Sequence, residues 1–208
     1  MTASGFCLQI RMNVSAEVVA KLPRWQCPQN YRLRKVEPGD EVHLPDLLVS
    51  AGVGWSRFEA PKMIQYLKMP DRWDGSHVIE SQGRLVALCF ATRRDEFDLP
   101  WGQLDYVCVH PEHRGVGLGI GVCAGVLQYQ RLRGYNASTL TTLMVTPENL
   151  QLAPIKMYLS LGFLPVMTEQ NRTVCETVYQ ALGWPLPVTW WSADSPFDPM
   201  DDPDAMSS

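Results

Sequence analysis

The sequence predicts a mixed α/β fold, and three observations support this prediction. Several short segments have the alternating or continuous apolar pattern that is typical of strands. Other segments repeat apolar residues three and four positions apart, as amphipathic helices do. With 208 residues, 46% of them hydrophobic and 19% charged, the chain has the composition of a globular protein with one core.

The first half of the chain is predicted to contain four strands and three helices, the first of them a short helix at about 14–22. Residues 31–36 (YRLRKV) alternate as a strand does, and the turn sequence EPGD follows. Helices are expected at about 44–50 and 60–69. The segments HVIES and RLVALCFAT flank Gln82-Gly83, which predicts a hairpin with a tight turn. The next strand is LDYVCV, residues 104–109.

The second half alternates between helices and strands. Leu118, Val122 and Val126 form one row of a helix, and Gly134 is placed to end it. Pro154 suits the first turn of a later helix. The predicted elements are, in order, a helix at 117–133, a strand at 138–145, a helix at 154–163, a strand at 164–167, a helix at 174–182 and a strand at 188–191.

Charge and hydropathy exclude several classes of partner. The net charge of −4 lacks the basic excess of a nucleic-acid-binding protein. No apolar run reaches the roughly 18 residues that a membrane helix needs. The first residues, MTASGFCLQIRMN, do not have the pattern of a signal peptide. We therefore expect no nucleic acid, no membrane and a cytoplasmic location.

The six cysteines are expected to be thiols. Cys89, Cys108 and Cys123 lie inside apolar runs, where free cysteine behaves as a small hydrophobic residue. The absence of a Cys-x-x-Cys pair argues against a zinc site or a redox motif. His110 and His113 flank a proline in a predicted loop without further ligands, so no metal is expected.

The segment HPEHRGVGLGIG, residues 110–121, carries a glycine at every second position from Gly115 to Gly121. Glycine inside a helix costs roughly 0.5–1 kcal/mol relative to alanine, so four of them at a helix start need a reason. A strand, a glycine-rich turn and a helix start form an anion site, because the first helical amides lack internal partners. Arg114 would add a cation. The alternative is close helix packing without a ligand.

Two other phosphate-binding motifs fit this segment poorly. A P-loop requires Lys-Ser or Lys-Thr after its last glycine, and none follows here. The dinucleotide-binding motif has the spacing G-x-G-x-x-G and an acidic residue at the end of the next strand. The glycines here alternate strictly and the next predicted strand, STLTTLMV, has no acidic residue, which disfavours NAD.

The segment VCVHPEHRGVGLG resembles the signature of the GNAT superfamily of acetyl-CoA-dependent N-acyltransferases. In that signature Arg or Gln, two residues, Gly, one residue and Gly or Ala follow a strand, and Arg114, Gly117 and Gly119 match it. RLRGY and YLSLGF are similar to the end of the family's pyrophosphate helix and to its Y-x-x-x-G-F element. The resemblance covers about residues 31–166. One departure is Asn149, which lies nine residues before Tyr158 instead of about seven.

The resemblance implies a GNAT-like fold with a central sheet of six to seven mostly antiparallel strands, splayed at the cofactor cleft, and helices on both faces. It implies acetyl-CoA as cosubstrate and an amine acceptor that attacks the thioester directly, and it leaves a homodimer open. The pantetheine arm would pair with the backbone of Val107, Cys108 and Val109. The pyrophosphate would lie on the amides of Gly115, Val116, Gly117, Leu118, Gly119 and Ile120.

The resemblance also implies a catalytic acid, because Tyr158 matches the tyrosine that protonates the leaving thiolate in many family members. The alternative for Tyr158 is core packing. For the base we consider Asp105, which by strand alternation would share a face with Val107 and Val109. Glu96 and Asp98, acting through water, are alternatives, as is a solvated carboxylate at a strand end for Asp105.

The acceptor is left open by the sequence. Residues that are candidates to line its pocket or attract a cation lie in one segment: Trp55, Phe58, Glu59, Tyr66, Asp71, Trp73 and Asp74. We divide the chain into an N-terminal extension (1–29), an acyltransferase domain (30–192) and an acidic, proline-rich tail (193–208) that is expected to be mobile. Two other functions stay open, a silent CoA-binding or regulatory module on the same fold and a nucleotide-binding protein.

Overall fold

The computed structural model describes residues 6–52, 60–94, 101–187 and 191. They form two compact units, a larger one made of Ser15–Ser138 and a smaller one that combines Met1–Val14 with Thr139–Ser208. The elements are β1 (Arg11–Ser15), α1 (Ala16–Lys21), β2 (Arg32–Lys35), α2 (Leu44–Ser50), α3 (Ala60–Leu67), α4 (Arg72–Gly75), β3 (His77–Ser81), β4 (Arg84–Arg94), β5 (Trp101–Val109), α5 (Leu118–Leu132), β6 (Ala137–Thr141), α6 (Leu152–Ser160), β7 (Leu164–Pro165) and α7 (Arg172–Leu182).

The larger unit contains four antiparallel strands in the order β2-β3-β4-β5. The turn between β3 and β4 is the predicted hairpin, and Gln82 and Gly83 have φ of 50° and 74°. Positive φ at both central residues is typical of the tight turns that match the twist of a hairpin. The predicted strand at 31–36 and helix at 44–50 are confirmed as β2 and α2.

Helices α2 and α3 pack on β4 and form the core of the larger unit. The buried side chains of the two helices contact every second residue of β4, because residues two apart point to the same face of a strand. The core members with at most 3% exposure are Leu44, Leu47, Leu48, Met63, Leu67, Val78, Leu88 and Phe90. This core holds one face of β4 and β5 in place.

In the smaller unit β1 lies between β6 and β7. The β1–β7 pair is antiparallel, with Met12 opposite Pro165. Strand β1 was not predicted, because Arg11 and Asn13 interrupt the apolar pattern although both are buried. The Thr139 hydroxyl donates to the Asn13 side chain at 2.7 Å, which compensates part of the cost of burying this amide.

The predicted fold class is confirmed: helices and seven strands are described, and the four pairs of strands whose register is known are antiparallel. Among the described residues no helix has both the length and the apolar character needed to cross a membrane. Apart from Trp191, the predicted strand at 188–191 lies outside the described residues, as does the tail at 193–208.

Candidate functional site

Strand β5 leads into the glycine-rich segment and is irregular shortly before its end. Phe90 of β4 lies opposite Asp105 and Leu88 lies opposite Cys108, so β5 has one residue more than β4 over this stretch. Tyr106 within it has a φ of 45°. A non-glycine residue with this backbone costs about 1–3 kcal/mol, and such residues concentrate at functional sites. The bulge lies directly before Val107–Val109, the residues along which pantetheine is expected.

The bulge also changes which face Asp105 occupies. Simple alternation predicts that Asp105 shares a face with Val107 and Val109, and this prediction is wrong. Because Leu88 and Phe90 lie on one face of β4, their partners Cys108 and Asp105 lie on one face of β5. The extra residue shifts the alternation by one position. Asp105 therefore points to the side of the sheet that α2 and α3 cover.

Asp105 accepts hydrogen bonds from three side chains. Arg72 donates from Nη2 to Oδ2 at 3.0 Å, and the Thr92 hydroxyl donates to the same oxygen at 2.5 Å. The Gln103 amide donates to Oδ1. The Arg72 and Asp105 side chains are 6% and 15% exposed, so this ion pair is mostly shielded from water. Asp105 is thus not the solvated carboxylate at a strand end that was one alternative.

Arg72 is fixed on its other side by an aromatic cluster. Its guanidinium carbon lies 3.5 Å from the centre of the Tyr66 ring, a cation–π contact. Tyr66 in turn makes edge contacts with Phe90 and Tyr106. The bulge, the ion pair and helix α3 are therefore joined through one set of contacts.

The glycine-rich segment connects β5 to α5. A short 3-10 helix (Pro111–His113) comes first, and Gly115 and Gly117 then both have a φ of 84°. The first helical hydrogen bond of α5 runs from the Gly121 amide to the Gly117 carbonyl. The amides of Leu118, Gly119 and Ile120 precede that bond, as the first amides of a helix do, and form a site suited to an anion.

Arg114 braces this segment. Its Nε donates to the Val109 carbonyl at 3.1 Å, and its Nη2 donates to the Ala51 carbonyl at 3.2 Å. Ala51 follows the last residue of α2, where unpaired carbonyls attract a cation. The guanidinium therefore links the end of β5 to the end of α2 in addition to carrying charge near the glycines.

Two further glycines of α5, Gly121 and Gly125, serve packing. A Cβ added at Gly121 would lie 2.7 Å from two carbons of the Trp25 indole, and one added at Gly125 would lie 2.6 Å from the His77 ring. Both distances are too short for any side chain. The two explanations of the glycines therefore apply to different positions, since Gly115 and Gly117 shape the turn and Gly121 admits an indole.

Tyr158 belongs to the smaller unit, on helix α6. Its side chain is 8% exposed, and its ring makes an edge contact with Phe163 at 6.1 Å between centroids. The Phe163 amide donates to the Tyr158 carbonyl at 3.1 Å, which closes the helix at Gly162. The Y-x-x-x-G-F element is thus a helix end that fixes the tyrosine.

The acceptor candidates have different environments. Tyr66 and Trp73 belong to the core of the larger unit or pack against it, and Asp71 accepts from the hydroxyls of Tyr129 and Tyr135. Asp74 is exposed. The others, Trp55, Phe58 and Glu59, lie outside the described residues, as do the alternative bases Glu96 and Asp98.

A cavity of about 620 Å³ opens elsewhere in the larger unit, between α2 and the β3–β4 hairpin. Its charged lining is of both signs and includes Arg34, Asp40, Asp46, Glu80 and Arg84. His110 also lines this cavity, and with Glu112 and His113 it forms a group whose ligand atoms lie within 4.8 Å of one another. The Tyr31 hydroxyl already contacts Nδ1 of His113 at 3.1 Å.

All six cysteines are free thiols, as predicted. Four of them, Cys89, Cys108, Cys123 and Cys175, are buried. Burial raises the pKa of the Cys108 thiol to about 12, and burial followed by the nearby Glu176 raises that of Cys175 to about 12. These thiols are therefore protonated at neutral pH and are not nucleophiles.

Alkaline pH is expected to destabilise the fold through these thiols. The unfolded chain releases their protons above about pH 8.5, whereas the folded chain keeps them until about pH 12, so the free energy of unfolding falls as pH rises between these values. In urea unfolding with a reductant, Cys108→Ala should make the fall shallower by at most about 1.4 kcal/mol per pH unit. The exposed Cys27→Ala is the control. Equal slopes for the two variants would contradict the expectation.

The sequence alone does not indicate four residues described above: Arg72, Thr92, Gln103 and Trp25. Arg72 and Thr92 lie 33 and 13 positions from Asp105 in the chain, so no local pattern connects them to it, whereas Gln103 is two residues away on the same strand and alternation could have indicated it. The proline-rich connector that holds Trp25 has no periodicity. A glycine inside a helix that does not form a turn, such as Gly121, indicates that a large side chain packs closely against that position.

Comparison with known proteins gives consistent results. The model of the Acetyltransferase (GNAT) family matches residues 42–163, which include the glycine-rich segment, Asp105 and Tyr158. A mycothiol acetyltransferase of Thermobispora bispora is 28% identical over 150 residues, which are 68% of this chain and 49% of that protein.

Two solved structures share the fold. A GCN5-related N-acetyltransferase from Sphaerobacter thermophilus has a TM-score of 0.57 at 19% identity, over 76% of this chain and 48% of that one. The glucosamine N-acetyltransferase region of a fungal multi-domain β-N-acetylglucosaminidase has a TM-score of 0.53 at 14% identity, over 78% of this chain and 20% of that one. The chain spans about half the length of the curated relative that it matches (49%), and 48% and 20% of the lengths of the two structures.

Proposed function

Because the chain belongs to the acetyltransferase (GNAT) family, we propose that it transfers an acetyl group from acetyl-CoA to a primary amine by direct attack in a ternary complex. The observation that carries the proposal is the turn between β5 and α5. Gly115 and Gly117 adopt positive φ there, and the first amides of a 15-residue helix follow. Backbone amides and the helix dipole favour the negative charge of a diphosphate.

The proposed cofactor site follows the chain through this turn. The diphosphate lies on the amides from Gly115 to Ile120, and Arg114 holds the turn against α2. The pantetheine arm runs along the backbone of Val107, Cys108 and Val109, next to the bulge at Tyr106. The proposal needs no metal, since the reaction requires only proton transfer and support for an oxyanion.

The proposed reaction has two bond changes. The neutral amine attacks the thioester carbonyl, and the tetrahedral intermediate then collapses as the carbon–sulfur bond breaks and CoA leaves as a thiolate. Asp105 is the proposed acceptor of the proton that the amine loses, directly or through water. Tyr158 is the proposed donor of the proton that the thiolate takes up, which balances the transfer.

The acceptor and the cellular setting are also proposals. The buried, unpaired thiols suit a reducing compartment such as the cytoplasm. The name of the Thermobispora bispora relative places mycothiol-related amines in the panel of acceptors to be tested, beside peptide N-termini, lysine, polyamines and aminoglycosides. A homodimer is tested by the mass of the protein in solution.

The test measures release of free CoA thiol from acetyl-CoA with this panel, and mass spectrometry then identifies the acetylated product. An acetyltransferase releases thiol only with its acceptor. CoA binding without transfer to any amine would support the alternative, a silent CoA-binding or regulatory module. Greater thermal stabilisation by NAD or ATP than by CoA would overturn the proposal in favour of a nucleotide-binding protein.

Asp105→Asn tests the proposed base. The variant keeps the shape of the side chain but cannot accept a proton, so kcat/KM should fall by about 10²–10⁴-fold. The variant should lose stability as well, because Arg72 would be left without its anion.

Asp40→Asn is the matched control, since Asp40 forms an equally shielded ion pair with Arg34 at 2.7 Å. It should lose stability in urea unfolding but keep the wild-type kcat/KM. If both variants behave alike in stability and in kcat/KM, Asp105 has only a structural role.

A further inference from the structure

Trp25 lies along the first turn of α5. It belongs to the connector between α1 and β2, which lies within the predicted N-terminal extension (1–29). Two carbons of its indole lie 2.7 Å from the position that a Cβ would take at Gly121. The indole Nε1 lies 3.8 Å from the corresponding position at Gly117, where α5 begins.

The two ends of the indole therefore have different environments. The six-membered ring packs against Gly121, which lies within α5. The N–H lies beside Gly117, which has a left-handed backbone conformation and precedes the first amides of the helix. A single side chain thus reaches from the packed part of α5 to its start.

The indole N–H has no hydrogen-bond partner among the described residues, and the side chain is partly exposed. This group can only donate. With no acceptor among the described residues, this N–H can donate to an acceptor from outside the chain, either water or a ligand. The first amides of α5 and the macrodipole favour an anionic acceptor there.

We propose that Trp25 donates a hydrogen bond from Nε1 to the diphosphate of CoA, so that the connector after α1 forms one wall of the cofactor site. The inference rests on the proposed function and adds a residue from outside the matched range 42–163. Only ligands that carry the diphosphate can accept this hydrogen bond, so the bond should strengthen the binding of CoA and not that of pantetheine. Gly121 is the residue that allows the indole to take this position.

Trp25→Phe tests the inference, because it keeps an aromatic ring but removes the N–H. CoA binding, measured by calorimetry, should weaken by about 10- to 100-fold, the range expected for a hydrogen bond to a charged group. Binding of pantetheine, which lacks the diphosphate, should not change. The control Trp184→Phe removes a partly exposed indole of the smaller unit and should change neither affinity.

A spectroscopic measurement separates a hydrogen bond from a packing role. The chain has seven tryptophans, and Trp25→Phe identifies the indole N–H signal of Trp25 by NMR. In the wild-type protein CoA should move this proton downfield, and pantetheine should not. A Trp25 signal that CoA leaves in place would overturn the inference.

Gly121→Ala is a second test, which can be used if Trp25→Phe does not fold. It displaces the indole of Trp25 without altering that side chain. Its Cβ would overlap the ring, so CoA affinity should fall and pantetheine affinity should stay. Wild-type CoA affinity in a folded Gly121→Ala or Trp25→Phe variant would refute the role of Trp25 alone. Failure of the wild-type protein to bind CoA would refute the proposed function itself.

Discussion

Gly117→Val is expected to abolish CoA binding, with a loss of at least about 100-fold in calorimetry. Gly117 has a φ of 84° and precedes the first residue of α5. A β-branched residue avoids this conformation, so the turn must rearrange and carry the first amides of α5 with it. The added side chain would also project at the turn that the diphosphate must approach closely.

The matched control is Gly134→Val, at the other end of the same helix. Gly134 has a φ of 81°, and nothing lies within 4 Å of a Cβ added there. The variant therefore carries the same backbone strain away from the proposed site. It should lose a similar amount of stability, about 1–3 kcal/mol, and bind CoA as the wild type does. Equal CoA affinities for the two valine variants would show that the diphosphate does not bind at this turn.

The four alternating glycines show what sequence reasoning can and cannot decide. Their position between a strand and a helix predicts an anion site, and the positive φ of Gly115 and Gly117 agrees with a turn of that kind. From the sequence alone, Gly121 is assigned to the same anion site as Gly115 and Gly117. In the fold Gly121 lies against Trp25, nearly a hundred positions away, and no local pattern contains that information.

Asp105 shows the same limit for a strand. Its place in β5 is predictable from the apolar pattern of the neighbouring residues. Its face is not, because one extra residue at the bulge reverses the alternation. Its partner Arg72 lies on α4, a helix of four residues that has no room for a periodic pattern. Elements with strong periodicity, such as α2 and α5, are predicted to within a residue or two.

The order of motifs is more predictable than the contacts among them. The glycine-rich turn and the Y-x-x-x-G-F element are each local, so their residue types alone identify them. The fold then gives each a distinct support, with Arg114 bridging β5 to α2 in one unit and Phe163 covering Tyr158 in the other. These supports depend on tertiary packing, so only variants at the motifs themselves can be designed from the sequence.

Tyr158→Phe is expected to lower kcat by about 10²–10⁴-fold if proton transfer to the thiolate limits the rate, with little change in CoA affinity. Phenols are protonated at neutral pH, since their ordinary pKa is about 10, and are ready to act as acids. The substitution keeps the ring and its edge contact with Phe163, so the loss measures the hydroxyl. The measurement is steady-state thiol release with an identified acceptor, together with calorimetry of CoA.

Tyr179→Phe is the matched control for Tyr158→Phe. Tyr179 is a buried tyrosine of the same unit, 1% exposed, on helix α7. Removing its hydroxyl tests what a buried phenol of the smaller unit contributes to folding alone, so kcat should stay at the wild-type value. A smaller loss for Tyr158→Phe, by about tenfold, would mean that water substitutes for the phenol, because a thiolate leaves without strong assistance. Equal kcat values for wild type, Tyr158→Phe and Tyr179→Phe would reduce Tyr158 to a packing residue and leave the proposed reaction without its acid.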